Sequence, residues 1–335
     1  MGIALTGADE GVHSPGDEIN WNESRYIDFW DPQARVGGWF RIGARPNANY
    51  AEMSACLFLP DGRVAFSFER ATIDVNGLVA GGQTWEVVEP WRTTRVGYVG
   101  TMALFDDPWV LTNPKEAFRS SPDVDVEIDL QCTTEGLGAV MGQDQDQHHM
   151  IFLPGQADFH YQHMTRVTGT VRVGAAAEYA VDGRGAKDHS WGPRNWHAKI
   201  YLRWLICCID DDNGFMLTRS VGPTAERRSG FVWANREFRV VDGFTMVNRF
   251  AGGPWYELER TEVVVRAGDV EWAVAGTPQN YLPLRHRQTG PDGVEATLRI
   301  VKQPTEWTFD DGRTAIGHLE YHDLMEDGVP VGLHD

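Results

Sequence analysis

The sequence predicts an all-β protein of two domains, each a barrel or a sandwich of short antiparallel strands. Short runs of β-preferring residues recur with apolar and polar side chains in alternation, and clusters rich in Gly, Pro, Asp and Asn separate them. No long stretch repeats its apolar residues with a helical period. At 335 residues the chain is too long for one ordinary core, and 42% hydrophobic residues supply enough apolar surface for two.

The elements follow in order. Residues 1–36 are polar, rich in Asp, Glu and Gly, and read as an irregular cover that includes the run Trp21–Trp30. From Gly37 the alternation begins. Met53–Leu59 and Arg63–Glu69 flank Pro60-Asp-Gly62, which is hairpin chemistry. Trp85–Glu89, Arg95–Phe105 and Val124–Leu130 continue the pattern. In the last of these Val124, Val126, Ile128 and Leu130 share one face, and Asp125, Glu127 and Asp129 the other. Residues 106–123 read as a long loop. Thr168–Val173 and Ala176–Asp182 form a second hairpin-like pair. Tyr201–Ile209 is apolar enough for a strand covered on both faces, and Phe215–Ser220 returns from the turn at 210–214. Further strands are expected at 229–240, 256–265, 270–275, 281–286, 295–302, 305–309 and 315–322. The domains are read as 37–187 and 188–335, behind the cover segment 1–36.

Charge and composition narrow the function classes. The formal net charge of −18 repels phosphate backbones and anionic membranes, so nucleic acid is excluded as a partner. Cys56, Cys132, Cys207 and Cys208 include no C-x-x-C pair and read as small buried hydrophobes. The first residues lack the pattern of a secretory signal, and no apolar run reaches the roughly 18 residues of a membrane span, so a cytoplasmic protein is expected. His148 and His149 are adjacent, and on a strand they would face opposite ways, so no metal is expected there. P-loop, G-x-S-x-G and G-x-G-x-x-G signatures are all missing. Thirteen tryptophans are many for this length and suit either a wide core or an apolar ligand cavity.

The chain is organised around Asp182–Trp196, which gathers Asp188, His189, Trp191, Arg194 and Trp196 among Gly183, Gly185 and Gly192. It reads as an inward-facing turn that holds polar groups against aromatic walls. The alternative is a buried linker whose Asp188 and His189 bond the backbone.

Around this stretch, the runs Tyr161-Gln-His-Met-Thr-Arg166, Gly169-Thr-Val171 and Val181–Gly192 resemble the family of carotenoid 1,2-hydratases and AttH-like proteins, with its Asp-His-x-Trp-Gly signature. Gly37-Gly, Arg41-Ile42 and Leu59-Pro-Asp-Gly62 fit more loosely. The chain looks like a divergent relative. The resemblance implies two lipocalin-like β-barrels in tandem, with the signature at their junction. It also implies an apolar, terpenoid-like ligand and acid-driven hydration, dehydration or cyclisation without a cofactor or a metal. In the carotenoid hydratases a Tyr-x-Asp pair on a following strand is associated with proton donation. The matching stretch here, Phe215–Arg219, has neither residue, so the acid is unassigned.

Three carboxyls compete for that role: Asp188 beside His189, Glu320 sharing a strand face with His318, and Glu23 between aromatics. Burial against aromatic walls raises a carboxyl pKa and would keep an acid protonated. Each also has a structural reading, as a turn bond for Asp188, an arginine partner for Glu320 and a solvated charge for Glu23. His189 would be acid, base or orienter. Trp191 and Trp196 would wall the site and stabilise a carbocation, and Tyr161, His160 and His163 would line the same cavity. Arg194 would position a substrate or pair with Asp188. Two functions remain open: a lyase, isomerase or cyclase acting on an apolar substrate, and a non-catalytic carrier of an apolar ligand. The oligomeric state is open, a homodimer included.

Overall fold

The computed structural model describes residues 4–73, 78–137, 140–143, 153, 155–196, 199–289 and 295–334. His148 and His149 lie outside them. The fold is the expected one, two tandem lipocalin-like antiparallel β-barrels. The chain divides into one compact unit of residues 1–107, 120–149 and 154–195, and a second of 108–119, 150–153 and 196–335.

Among the described residues the first unit holds ten strands: β1 (Trp21–Asp31), β2 (Val36–Arg45), β3 (Tyr50–Phe58), β4 (Val64–Ala71), β5 (Val79–Ala80), β6 (Gln83–Glu89), β7 (Thr93–Phe105), β8 (Asp123–Thr133), β9 (Phe159–Val173) and β10 (Ala177–Pro193). Their order is β4-β3-β2-β1-β10-β9-β8-β7-β6-β5, and a pairing of β4 with β7 closes the sheet. The expected cover segment 1–36 contributes β1, which is paired along both edges, to β2 and to β10. The β3–β4 hairpin turns where Pro60-Asp-Gly62 placed it: Gly62 has φ +89°, and Asp61 Oδ1 accepts the Arg63 amide at 3.1 Å. On β8 the period of two is plain, with Val126, Ile128 and Leu130 buried and Asp125, Glu127 and Asp129 exposed. Ile27, Phe29, Phe40, Ile42, Leu57, Val167 and Val171 are among the side chains that fill the barrel.

The central motif is not a turn. Asp182–Pro193 lies within β10, a strand of 17 residues paired to β1 and β9. Its glycines answer to close approach. A Cβ on Gly185 would stand 2.1 Å from the Asp28 carbonyl oxygen of β1, and one on Gly183 would stand 2.5 Å from that of Trp30. Only Gly192 needs a left-handed backbone, at φ +117°.

The second unit holds β11 (Tyr201–Cys208), β12 (Gly214–Val221), β13 (Glu226–Ala234), β14 (Glu237–Val240), β15 (Gly243–Phe250), β16 (Leu258–Ala267), β17 (Val270–Pro278), β18 (Leu282–Thr289), β19 (Glu295–Phe309), β20 (Thr314–Glu326) and β21 (Val329–Pro330). Its order is β14-β13-β12-β11-β20-β19-β17-β16-β15, with β18 beside β19 and β21 beside β20. Leu205, Phe215, Leu217, Val263, Trp307 and Tyr321 are part of its core. Two expected strands, 295–302 and 305–309, are one. Pro304 sits where β19 changes neighbour, between the stretch paired to β18 and the stretch paired to β17, so its missing N–H interrupts neither ladder. Residues 106–123, expected as loop, include a 3-10 turn, Pro108–Thr112, and a short helix, α1 (Pro114–Ser120). All four cysteines are buried, as expected, and none forms a disulfide. No helix among the described residues is long and apolar enough to cross a membrane.

Candidate functional site

Strand register builds the site. Glu23, Arg25 and Ile27 of β1 lie opposite Trp191, His189 and Lys187 of β10, and His189 and Trp191 lie opposite Tyr161 and Phe159 of β9. Residues paired across a ladder share a face, and Ile27 and Phe29 belong to the barrel core, so this face points inward. The N-terminal segment closes over the same end. Thr6 and Asp9 cap its 3-10 turn, Gly7–Glu10, reciprocally: Asp9 Oδ2 accepts the Thr6 amide at 2.7 Å. Leu5 packs with Trp21, Tyr161 and Trp191. His13 stacks on Trp191 with ring centroids 3.8 Å apart.

The segment brings polar groups with it. Glu23 Oε1 accepts from His189 Nε2 at 2.8 Å and from His13 Nδ1 at 2.9 Å, while Oε2 accepts the His13 amide at 3.1 Å. Arg25 Nη2 lies 3.4 Å from Glu23 Oε1 and donates to the Gly11 carbonyl at 2.5 Å. Beside them Lys187 Nζ donates to both oxygens of Glu10, at 2.9 and 2.8 Å, and the Tyr161 hydroxyl donates to Glu10 as well.

These partners decide which groups are charged. Burial alone would raise the Glu23 pKa. The hydrogen bonds from the two histidines and the charge of Arg25 outweigh it and hold the carboxylate well below its usual range. Glu10 is likewise lowered against its burial by Lys187 and Tyr161. Burial and Arg25 push His189 down to about 4, although Glu23 pulls the other way. His189 is therefore neutral near pH 7, and its Nε2 proton points at Glu23. Its Nδ1 is buried and finds no hydrogen-bond partner among the described residues. Burial and Glu10 raise Tyr161 well above the ordinary phenol range.

The expected site residues fall into three places. Glu23, Tyr161, His163, His189 and Trp191 lie on the inner face of the first barrel. Asp188, His160 and Arg194 lie on the other face: Asp188 pairs in register with Tyr26 and Gln162, His160 Nε2 is 3.9 Å from Asp188 Oδ2, and Arg194 donates to Ser190 Oγ at 3.0 Å. Adjacent residues on a strand point opposite ways, which separates Asp188 from His189. Glu320 and Trp196 belong to the second unit. There Glu320 bonds Lys302 and His322, and Trp196 sits 5.5 Å from His286, ring to ring. The expectation that burial keeps a carboxyl protonated fails for both Glu23 and Glu320, because donors and cations outweigh desolvation at each. Glu10, His13, Arg25 and Lys187 were not anticipated. Lys187 and Arg25 each stand two residues from an expected one, and strand periodicity would have found them. Glu10 and His13 arrive from an irregular segment and leave no local signal.

Comparison with known proteins fits this architecture. Residues 6–325 match a domain of unknown function, DUF7064. The chain belongs to the DUF7064 family. No curated protein matches it significantly. Among solved structures, a protein assigned as AttH from Nitrosomonas europaea superposes with a TM-score of 0.55 at 15% identity, covering 95% of this chain and 96% of that one. Kievitone hydratase from Nectria haematococca superposes with a TM-score of 0.52 at 8% identity, covering 97% and 93%. At these identities the likeness is one of fold. It joins the DUF7064 chain to an AttH-like protein and to a hydratase along nearly its whole length.

Proposed function

We propose that this DUF7064 chain is a hydro-lyase that adds or removes water on an apolar, terpenoid-like small molecule, with no redox cofactor. The observation that carries the reading is His189: a buried imidazole whose Nε2 is fixed by Glu23 and whose Nδ1 lone pair has no partner among the described residues, set among Tyr161, Trp191 and Phe159. The fold shared with kievitone hydratase supports it.

Glu23 and Glu10 are ionised and tied to cations, so the proton carrier is the imidazole rather than a carboxylic acid. In the dehydrating direction His189 Nδ1 takes a proton from the carbon beside the carbinol carbon, the double bond forms as the C–O bond breaks, and the imidazolium returns its proton to the leaving hydroxide as water. Hydration is the reverse. Glu23 stabilises the imidazolium and holds the ring's tautomer, the usual work of a carboxylate behind a catalytic histidine. The aromatic wall excludes bulk water and strengthens these interactions. Because Leu5, Glu10 and His13 cover His189, substrate entry requires the N-terminal segment to move.

The test is incubation of the purified chain with a panel of terpenoid alcohols and enones, read by mass spectrometry for gain or loss of water. Turnover by the wild type that disappears in a folded His189→Ala variant is the expected result. Turnover that survives in that variant would refute the assignment. Ligands that co-purify and are never transformed would make the chain a carrier.

A further inference from the structure

We propose that His13, Glu23 and His189 form a binding site for one divalent transition-metal ion of the zinc class. Among the described residues, His13 Nδ1, a Glu23 carboxylate oxygen and His189 Nε2 lie within 4.8 Å of one another. They come from three separate places: the N-terminal segment, β1 and β10. Two imidazole nitrogens and one carboxylate oxygen are the donor set that zinc and its neighbours prefer over calcium or magnesium. The nitrogens stand 2.9 and 2.8 Å from Glu23 Oε1. Around a tetrahedral ion with bonds of about 2.0–2.1 Å, neighbouring ligand atoms are roughly 3.4 Å apart, so each nitrogen would draw back from Oε1 by about half an ångström.

The surroundings of His13 independently suit a metal. The far nitrogen of His13, Nε2, lies 3.4 Å from Asp9 Oδ1, and Asp9 is itself held by the Thr6 amide and hydroxyl. A carboxylate behind a ligating histidine fixes its tautomer and raises its basicity. Trp191 locks the His13 ring by stacking, which orients Nδ1 toward Glu23. His13 is one-fifth exposed, so an ion has a way in. Arg25, 3.4 Å from Glu23 Oε1, opposes the ion's charge and moderates affinity. Three protein ligands leave a coordination position open, the composition of catalytic rather than structural zinc sites. The ion would displace the two protons that now point at Glu23, so binding releases protons. The inference does not rest on the hydro-lyase reading.

The experiment uses the full chain, stripped with a chelator and titrated with zinc chloride near neutral pH by calorimetry in two buffers of different ionisation enthalpy, without substrate. Cobalt(II) absorption then reports the coordination. One ion per chain, buffer-dependent heat and the intense visible bands of a four- or five-coordinate cobalt site are expected. His13→Ala, whose folding is checked by circular dichroism, should abolish the event. Asp9→Asn should weaken it by about 10–100-fold, as loss of an outer carboxylate does. No binding to the wild type, or equal binding to wild type, His13→Ala and His189→Ala, would overturn the inference. Neither result depends on turnover, so failure of the metal site and failure of the proposed reaction are read separately; an ion on Nε2 would put the ring's remaining proton on Nδ1, so ion-loaded His189 would not be the base of that reaction.

Discussion

Glu23 on β1 and Glu320 on β20 are both buried, both bonded to a histidine, and both held ionised by their neighbours against the pull of burial. They differ in where they point and in what neutralises them. Glu320 lies between Leu319 and Tyr321, which enter the second core, so it faces outward from its sheet. Its lysine is Lys302, directly opposite on β19, and its histidine is His322, two residues along the same strand. That is a closed ion pair within one sheet. Glu23 faces into the first barrel, and imidazoles from two remote segments share one of its oxygens. Its cation, Arg25, is partly occupied by backbone carbonyls of the N-terminal segment. A carboxylate satisfied by an adjacent lysine holds a structure together. One shared by two histidines, beside a ring nitrogen with no partner among the described residues, is equipped to move a proton or hold an ion.

The sharpest way to break this contrast is to remove each side's working group. His189→Ala should lower turnover by about 10²–10⁴-fold, the span ordinarily lost with a general base. Glu320→Gln should leave turnover per folded molecule unchanged. Equal losses from both, measured as initial rates normalised to folded protein, would erase the distinction.

Lys302→Met attacks the second cluster from its other partner and strands a buried carboxylate. It should destabilise the fold by about 3–5 kcal/mol, readable as a lower urea midpoint. A change within experimental error would show that Glu320 takes up a proton without penalty and that the pair is not what holds it.

Acid should find the second cluster as well. Burial pushes His318 and His322 down to about 3, whereas in the unfolded chain they titrate near 6.5. Between those values the unfolded state binds more protons, so stability falls as pH falls through that window. Glu320, held well below 4.5 by Lys302 and His322 despite its burial, adds a loss of the same sign below 4.5. Urea midpoints across this range should decline steadily toward acid, and His318→Asn should flatten the slope. A flat wild-type profile would contradict the neutral, buried state of these rings.

The smallest effect is expected at Arg166 and Asp182, an ion pair 2.9 Å apart at the outer edge of the same motif. Both side chains are about half exposed or more, so Arg166→Ala should cost under about 1 kcal/mol. A larger loss would mean that this edge is tied into the His189 cluster after all.

The sequence by itself determined the class of fold and most of the strands. Alternation and turn chemistry are local: Val126, Ile128 and Leu130 face inward because a strand repeats every two residues, and Pro60-Asp-Gly62 turns because its own backbone preferences demand it. Local signals also carried the choice of His189, Trp191, Tyr161 and Glu23. Tertiary structure decided the rest. Gly183 and Gly185 serve close approach to β1 rather than a turn, and one sequence is compatible with both uses. Asp188 next to His189 in sequence is on the opposite face in space, because the motif is a strand. His13 and Glu10 reach Glu23 and Lys187 only after the chain has closed into a barrel. Burial, which would have made the carboxyls acids, is outweighed by donors and cations from strands and segments far away in the chain. A charge state is set by everything that surrounds a group, and that is known only when the chain has folded.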